Sequence, residues 1–576
     1  MKKYWAQIAF ALGFGALSFV FLVVALSSAA FLLGWNVSPL WVITSLLGAG
    51  WLVYFLLARQ AVPKPFLWVG ALVVILLACL AFSSATIDPS WDGNSYHKTA
   101  VGELAHGWNP VRQDVNAFNR SDKNSFKLVG MRGLDRALDT PWLNHYPKAS
   151  WIFSANIYKL TGNIESGKMV TPLMVVSVFL FAFAMLYKRL TRNQAIVVGA
   201  VLAFNPIIVS QIYSFYVDGI MGNLLIILVL ACTMLLDTHA RFYGRKLLFA
   251  AIFMSAVLAI NMKFTGLAYV AIIFACYGLY IIIAHRRELF LKFAGVGMAA
   301  LLVALLLVGA SSYLKNTITN GNPLYPLAGK GSVNFITVEE PVGYANMSYV
   351  HRFLKSNLAA TSQINHDLSL QVGAPRIKVP FSISQSELQT LASTDARQGG
   401  YGVWFGGILI VSTLLSLYLA VRYSRQEWRR CWLFLLPLAT LAVSIFGVDA
   451  TWYARYLPQL IMFPSLVVIA LYMRKKAVLA NILVFALLFN VTLTAMISGN
   501  AQSTFRQQIH QNFVQNLPCG NGQPLKVYSP IGFDGALYNI HDACPNVTLL
   551  TPQQAKSIPD QSKVPLFDSI YAVHTN

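Results

Sequence analysis

Three carboxylates and two cations in this chain stand where apolar sequence gives way to polar sequence, and those junctions are where they could do chemistry. Asp88 and Asp92 fall in Asp88-Pro89-Ser90-Trp91-Asp92-Gly93-Asn94-Ser95-Tyr96-His97, directly after an apolar run that ends near Ala85. A carboxylate at the boundary between hydrocarbon and water is partly desolvated, which raises its basicity and suits it to taking a proton from a hydroxyl. The same segment also satisfies a plainer role, an acidic helix cap ahead of the amphipathic run from Tyr96 to Leu104. Asp218 closes Gln211-Ile212-Tyr213-Ser214-Phe215-Tyr216-Val217-Asp218 at the turn of a tight apolar hairpin. An ionised Asp near hydrocarbon costs on the order of 3 kcal/mol, so it needs a partner or a wet cavity, unless it merely caps the next helix.

Lys263, in Asn261-Met262-Lys263-Phe264-Thr265-Gly266, and Arg455, in Thr451-Trp452-Tyr453-Ala454-Arg455-Tyr456, interrupt connections otherwise free of basic residues. The planar fork of an Arg suits phosphate oxygens and a Lys supplies a compact positive charge. Snorkelling to lipid head groups is the alternative for each. Outward-facing carboxylates together with membrane-level cations describe a site for a lipid-linked phosphate whose reacting carbon meets an acceptor hydroxyl.

The elements that must position these residues are membrane helices. The 576 residues are 56% hydrophobic and 11% charged, with a mean hydropathy of +0.57, more apolar surface than a soluble fold could hide. Apolar runs of roughly 20 residues recur, each matching the hydrocarbon thickness as a helix. They fall near 8–33, 40–57, 66–85, 169–186, 195–214, 219–236, 247–260, 264–284, 293–313, 401–421, 431–447, 456–473 and 477–498. The fold class expected is therefore an all-α polytopic membrane protein of about 13 spans. Strands of a barrel would alternate apolar with polar residues, which stretches such as Leu224 to Leu236 do not.

Alternate connections carry 20 basic residues against three acidic ones, Asp237, Glu288 and Glu427, which accounts for 17 of the formal +21 charges. A nucleic-acid surface is unnecessary to explain them. The positive-inside rule then puts the N-terminus in the cytoplasm and the C-terminus outside. The hydrophilic stretches 86–168, 314–400 and 499–576 all face that outer compartment. They divide the chain into two N-terminal helices (1–65), a transmembrane catalytic region (66–498) and an extracytoplasmic tail (499–576). Runs at Leu525 to Tyr528 and Val547 to Leu550 predict strands of a small α/β domain in the tail. Cys519 and Cys544 lie there, where an oxidising compartment permits a disulfide between them. Cys79, Cys232, Cys276 and Cys431 read as small apolar residues in or beside spans.

These residues, in this order and on this side, resemble the GT-C superfamily of membrane glycosyltransferases, in particular the lipid-A aminoarabinose transferases and protein O-mannosyltransferases. Asp92-Gly93-Asn94-Ser95-Tyr96 resembles that family's acid followed by an aromatic just after a helix enters the first large outer loop. Asp218 matches by position a second outer acid. Tyr453 and Arg455 are similar to a late basic and aromatic pair, and Gly321-Asn322-Pro323-Leu324-Tyr325-Pro326 to a stretch of related bacterial proteins. The likeness departs in two places: the Asp loop follows the third span rather than the first, and Gly rather than an acid follows Asp92.

The resemblance implies a polyprenyl-phosphate sugar donor, an acceptor hydroxyl on an extracytoplasmic glycan, lipid or protein, and a place in a bacterial inner membrane. It implies Asp92 as the base, with Asp88 as the alternative, and Lys263 and Arg455 on the departing phosphate. Asp218 orients the acceptor or Lys263, while Tyr96, His97 and Tyr453 join the substrate site. A divalent cation held by Asp92 and Asp218 is an alternative to the two side-chain cations. The rival classes are a glycan polymerase or ligase using a lipid diphosphate, and a polysaccharide transporter, which would place functional charges at mid-span.

Overall fold

Backbone amides in lipid must find partners within their own segment, and the apolar runs do so as helices. The computed structural model describes residues 4–119, 140–237, 243–332, 340–362, 375–423, 432–447, 450–516, 525–529, 534–550, 552–559, 562–567 and 570–573. Among them ten helices are long and apolar enough to cross a membrane: this is a multi-pass membrane protein. Three shorter apolar helices, Arg192–Ala203, Leu435–Phe446 and Pro458–Met473, occupy the remaining expected runs.

One run departs from expectation. The stretch 195–214 is not a single span, because Asn205 caps a new helix, Pro206–Gln211, by accepting from the Ile208 amide at 3.1 Å. The proline has no amide to continue the first helix, so the chain turns here and starts again. Asn205 also donates to Asn223 at 3.2 Å, which ties the break to the helix Asp218–Leu236. That helix is buried along its whole length at the centre of the bundle. The first helix, Trp5–Leu33, is also largely interior: the Gly13 carbonyl accepts from Ser177 at 3.1 Å, and Phe10 meets Phe181 edge-on at 5.4 Å.

The last helix, Ala477–Asn516, runs 40 residues without a break and carries the chain from the membrane into the tail. There β1 (Leu525–Tyr528), β2 (Val547–Leu549), β3 (Lys563–Phe567) and β4 (Ile570–Val573) form one sheet in the order β2-β1-β4-β3. β1 and β2 are parallel, and the other pairs antiparallel. Both expected strands are present, in the small α/β domain expected. Phe567 of β3 packs between Phe505 and Phe513 of the long helix. Cys544 is disulfide-bonded, while Cys519 and Cys431 lie outside the described residues.

The tail helix Asp534–Ala543 lies across the first hydrophilic segment. Two glycines allow this closeness: a Cβ on Gly102 would stand 2.1 Å from the Tyr538 ring, and one on Gly535 would stand 2.6 Å from the Asn94 carbonyl. Lys98, wholly buried, donates to Asn94, Glu165 and Asn539, each at 2.8 Å. Asp542 accepts from the Tyr158 hydroxyl at 2.6 Å and the Ile164 amide at 2.9 Å. The tail is thus bonded to the segment that carries Asp92.

Candidate functional site

The helix Pro65–Ser84 delivers the chain to Asp88, whose carboxylate is built into the wall. Its two oxygens accept from the Ser90 amide at 2.7 Å and the Phe215 amide at 2.9 Å, and none of its surface is exposed. Burial raises its carboxyl pKa above the usual range. The Asp88 amide donates to Glu165 at 3.1 Å, and Asn94 donates to the Asp88 carbonyl at 2.9 Å. Asp88 is therefore built into the turn, with both carboxylate oxygens engaged by backbone amides. It also explains the glycine after Asp92. A Cβ at Gly93 would fall 2.0 Å from an Asp88 oxygen and 2.2 Å from the Ser90 hydroxyl, so no second acid fits there.

Asp92 starts the π-helical turn Gly93–His97 with helical backbone angles, and its side chain makes no capping bond. It instead pairs with Arg455 Nη1 at 2.9 Å and keeps 19% of its side chain exposed, enough to meet a ligand. Asp218, at the first turn of its helix, likewise makes no capping bond. Its Oδ1 pairs with Lys263 at 2.6 Å, and its Oδ2 accepts from Gln211 at 3.5 Å and lies 4.0 Å from Arg455 Nη1. Gln211 braces the same corner by accepting from the Gly219 amide at 2.8 Å and donating to the Thr394 carbonyl at 3.2 Å.

Lys263 sits in an extended break (φ −156°, ψ 151°) between the helices Arg245–Met262 and Phe264–Ile283. The break turns its side chain inward, with Nζ 3.6 Å from the centre of the Tyr456 ring. Arg455 lies in the short turn Ala454–Tyr456 and is held by its own backbone, its amide donating to the Ala396 carbonyl at 3.0 Å. Neither cation snorkels to a membrane surface; both point into one buried cluster.

The sequence reading missed two members of that cluster. Asp395 receives Arg397 at 2.9 Å and 2.8 Å and the Tyr453 hydroxyl at 2.8 Å. It also faces Arg455 Nε at 3.1 Å, in an electrostatic contact rather than a directed hydrogen bond. Tyr453 therefore braces Asp395, and the face of its ring lies 5.0 Å from the Arg455 guanidinium. Burial works against the Arg455 charge, yet the surrounding groups, Asp395 foremost, raise its pKa well above the usual value. Three acids (Asp92, Asp218, Asp395) thus balance three bases (Lys263, Arg397, Arg455).

His97 is buried beside this cluster and accepts from the Trp151 indole at Nδ1, 2.7 Å away, so the ring proton belongs to Nε2. Burial pushes its pKa down to about 4, leaving a neutral imidazole. Tyr96 packs on it at 4.2 Å and lies 6.2 Å from Trp142, both half-buried. Among the described residues no group of three His, Cys, Asp or Glu could hold a metal ion. Asp92 and Asp218 each already face a cation, so this donor set does not fit a divalent ion.

After Lys263 in the chain, the helices Phe264–Ile283 and Arg287–Val303 form an apolar groove of about 340 Å³ lined by Ile260, Val270, Phe274, Phe293, Gly297 and the exposed Met298.

No protein-family model and no curated protein matches this chain. Solved structures similar to it include two of one protein. Crystal structures of ArnT from Cupriavidus metallidurans align with a TM-score of 0.45. The one bound to undecaprenyl phosphate has 12% identity over 86% of this chain and 88% of that chain. The apo one has 10% identity over 85% and 87%. At that distance the functional reading rests on the site itself.

Proposed function

We propose that the chain is an inverting glycosyltransferase that moves a sugar from a polyprenyl-phosphate donor to a hydroxyl of an extracytoplasmic glycan, lipid or protein. The observation that carries this reading is the pairing of Asp92 with Arg455 and of Asp218 with Lys263 in one cluster. A proton acceptor and phosphate-binding cations within a few ångströms of each other are what displacement at an anomeric carbon requires.

In this mechanism Asp92 takes the acceptor's proton as the acceptor oxygen bonds to the anomeric carbon, and the bond from that carbon to the phosphate oxygen breaks on the opposite face. The phosphate leaves with the bonding electron pair. Its growing charge meets Lys263 and Arg455, whose Nη2 makes no ion pair among the described residues. Asp218 holds Lys263 in place, Asp395 holds Arg455, and the apolar groove between the helices Phe264–Ile283 and Arg287–Val303 takes up the prenyl chain.

The N-terminus lies in the cytoplasm and the tail outside in this reading, so protease added to intact spheroplasts reaches sites beyond Asn500. Tail protection with cleavage between Arg422 and Arg430 would reverse the orientation. For the reaction, purified protein is incubated with lipid-monophosphate and lipid-diphosphate sugars. Transfer from the monophosphate supports the proposal; transfer from the diphosphate alone assigns a polymerase or ligase. No transfer, with flux of lipid-linked glycan in vesicles, assigns a transporter.

A further inference from the structure

Tyr216 stands in the middle of the charged cluster, and neither the sequence pattern nor the mechanism above gives it a task. Its ring lies 5.0 Å from the Arg455 guanidinium and 6.2 Å from the His97 ring. The side chain is 1% exposed, and its hydroxyl has no hydrogen-bond partner among the described residues. Its neighbours make the vacancy unusual. Tyr453, whose ring lies at the same 5.0 Å from the guanidinium, gives its hydroxyl to Asp395 at 2.8 Å. Of the two tyrosine rings that lie 5.0 Å from the guanidinium, one hydroxyl is engaged and one is not.

A buried hydroxyl left without a partner destabilises a fold by about 1 to 3 kcal/mol, and phenylalanine in the same place would avoid that cost. The cation contact does not require the hydroxyl, because a phenyl ring also attracts a guanidinium. The Tyr216 backbone is already fixed, its amide donating to Ser214 Oγ at 3.3 Å. The oxygen thus adds nothing to packing or to the turn. Burial and the adjacent Asp92 and Asp395 push the phenol pKa far upward, so the group stays protonated and can donate.

We infer that Tyr216 is a ligand-binding residue whose hydroxyl donates a hydrogen bond to a phosphate oxygen of the lipid-linked donor, alongside Arg455. This rests on the function proposed above. A phosphate oxygen suits this hydroxyl because it is a strong acceptor, and the phenol, kept protonated, can donate to it. The carboxylates Asp92, Asp218 and Asp395 supply only acceptors, so they complement an acceptor hydroxyl rather than a phosphate. Tyr216 also gives the site a way to tell phosphate-bearing lipid from bare alcohol without adding charge to a cluster already in balance.

The test is Tyr216→Phe, read in two assays. Binding of polyprenyl phosphate in detergent micelles is measured against unphosphorylated polyprenol, and the thermal midpoint is recorded for the unliganded protein. The expected result is a dissociation constant for the phosphate weakened about 10- to 100-fold, unchanged binding of the alcohol, and a midpoint equal to or above that of the wild type. A purely structural hydroxyl would lower the midpoint and leave discrimination between the two lipids intact, which overturns the inference. Equal affinity of the variant and the wild type for the phosphate also overturns it, while leaving the glycosyltransferase reading standing. If the wild type itself does not distinguish polyprenyl phosphate from polyprenol, the donor assignment fails and Tyr216 falls with it.

Discussion

Arg455 holds Asp92 at 2.9 Å through Nη1 while its Nε faces Asp395 at 3.1 Å, so the candidate base and the candidate phosphate ligand are one hydrogen-bonded unit. Asp92→Asn keeps that shape and removes proton acceptance. Turnover is expected to fall by about two to four orders of magnitude with donor binding retained. Asp88→Asn should behave differently. An amide offers one accepting oxygen to the two backbone N–H groups that Asp88 now receives, so its effect should appear in the thermal midpoint. A dead Asp88→Asn of unchanged stability would return the base to Asp88.

Arg455→Lys preserves charge but not reach. A single ammonium cannot face Asp92, Asp395 and an incoming phosphate in the directions that the guanidinium spans. Turnover should drop at least about tenfold, with Arg455→Ala lower still. Full activity in both variants would remove Arg455 from the mechanism.

The glycine beside the candidate base is a steric requirement, and so is the one beneath Tyr538. Gly93→Ala should lower both stability and activity, because its methyl would overlap the Asp88 carboxylate. Gly102→Ala should loosen the tail, since the Tyr538 ring fills the space its methyl would take. Limited proteolysis should then cut the tail faster in Gly102→Ala than in Gly93→Ala. The reverse order would contradict this docking.

His97 makes a pH prediction with a definite sign. Its folded pKa, about 4, is below the ordinary 6.5, so between those values the unfolded chain binds more protons than the folded one. Stability should therefore fall as pH drops from about 6.5 toward 4. His106, pushed by burial to about 4 as well, acts in the same direction. His97→Gln keeps an acceptor for Trp151 and cannot protonate, so its midpoint should decline less across that window than the wild type's. Parallel profiles would show that His97 is not the titrating group.

Much of this was legible in the sequence because membranes punish misplaced charge. Asp218, Lys263 and Arg455 stood out as ionisable residues where the lipid pattern expected none, and all three meet in one cluster. Asp395 and Arg397 carried no such signal, since charged residues are ordinary in a long hydrophilic segment. Tertiary contacts bring them to the site, among them the backbone bonds from Ala454 and Arg455 to the carbonyls of Arg397 and Ala396. The role of Asp88 was equally hidden, because its partner Phe215 is 127 residues away. The break at Asn205-Pro206 was visible as letters, but the surrounding hydrophobicity outweighed it.

The unbroken helix Ala477–Asn516 sets the angular phase of the tail. At 1.5 Å per residue its 40 residues measure about 60 Å, twice the hydrocarbon thickness, so about half the rod stands clear of lipid. Because the helix advances about 100° per residue, one residue inserted after Gly499 would turn the tail as a unit, Phe505 and Phe513 still packed on β3, and carry Asn539 off Lys98. Four residues would nearly restore the heading but raise the tail by about 6 Å, still out of reach of the turn that carries Asp92. The rod thus works as an indexed shaft, with one rotational setting and one height at which the tail engages the site.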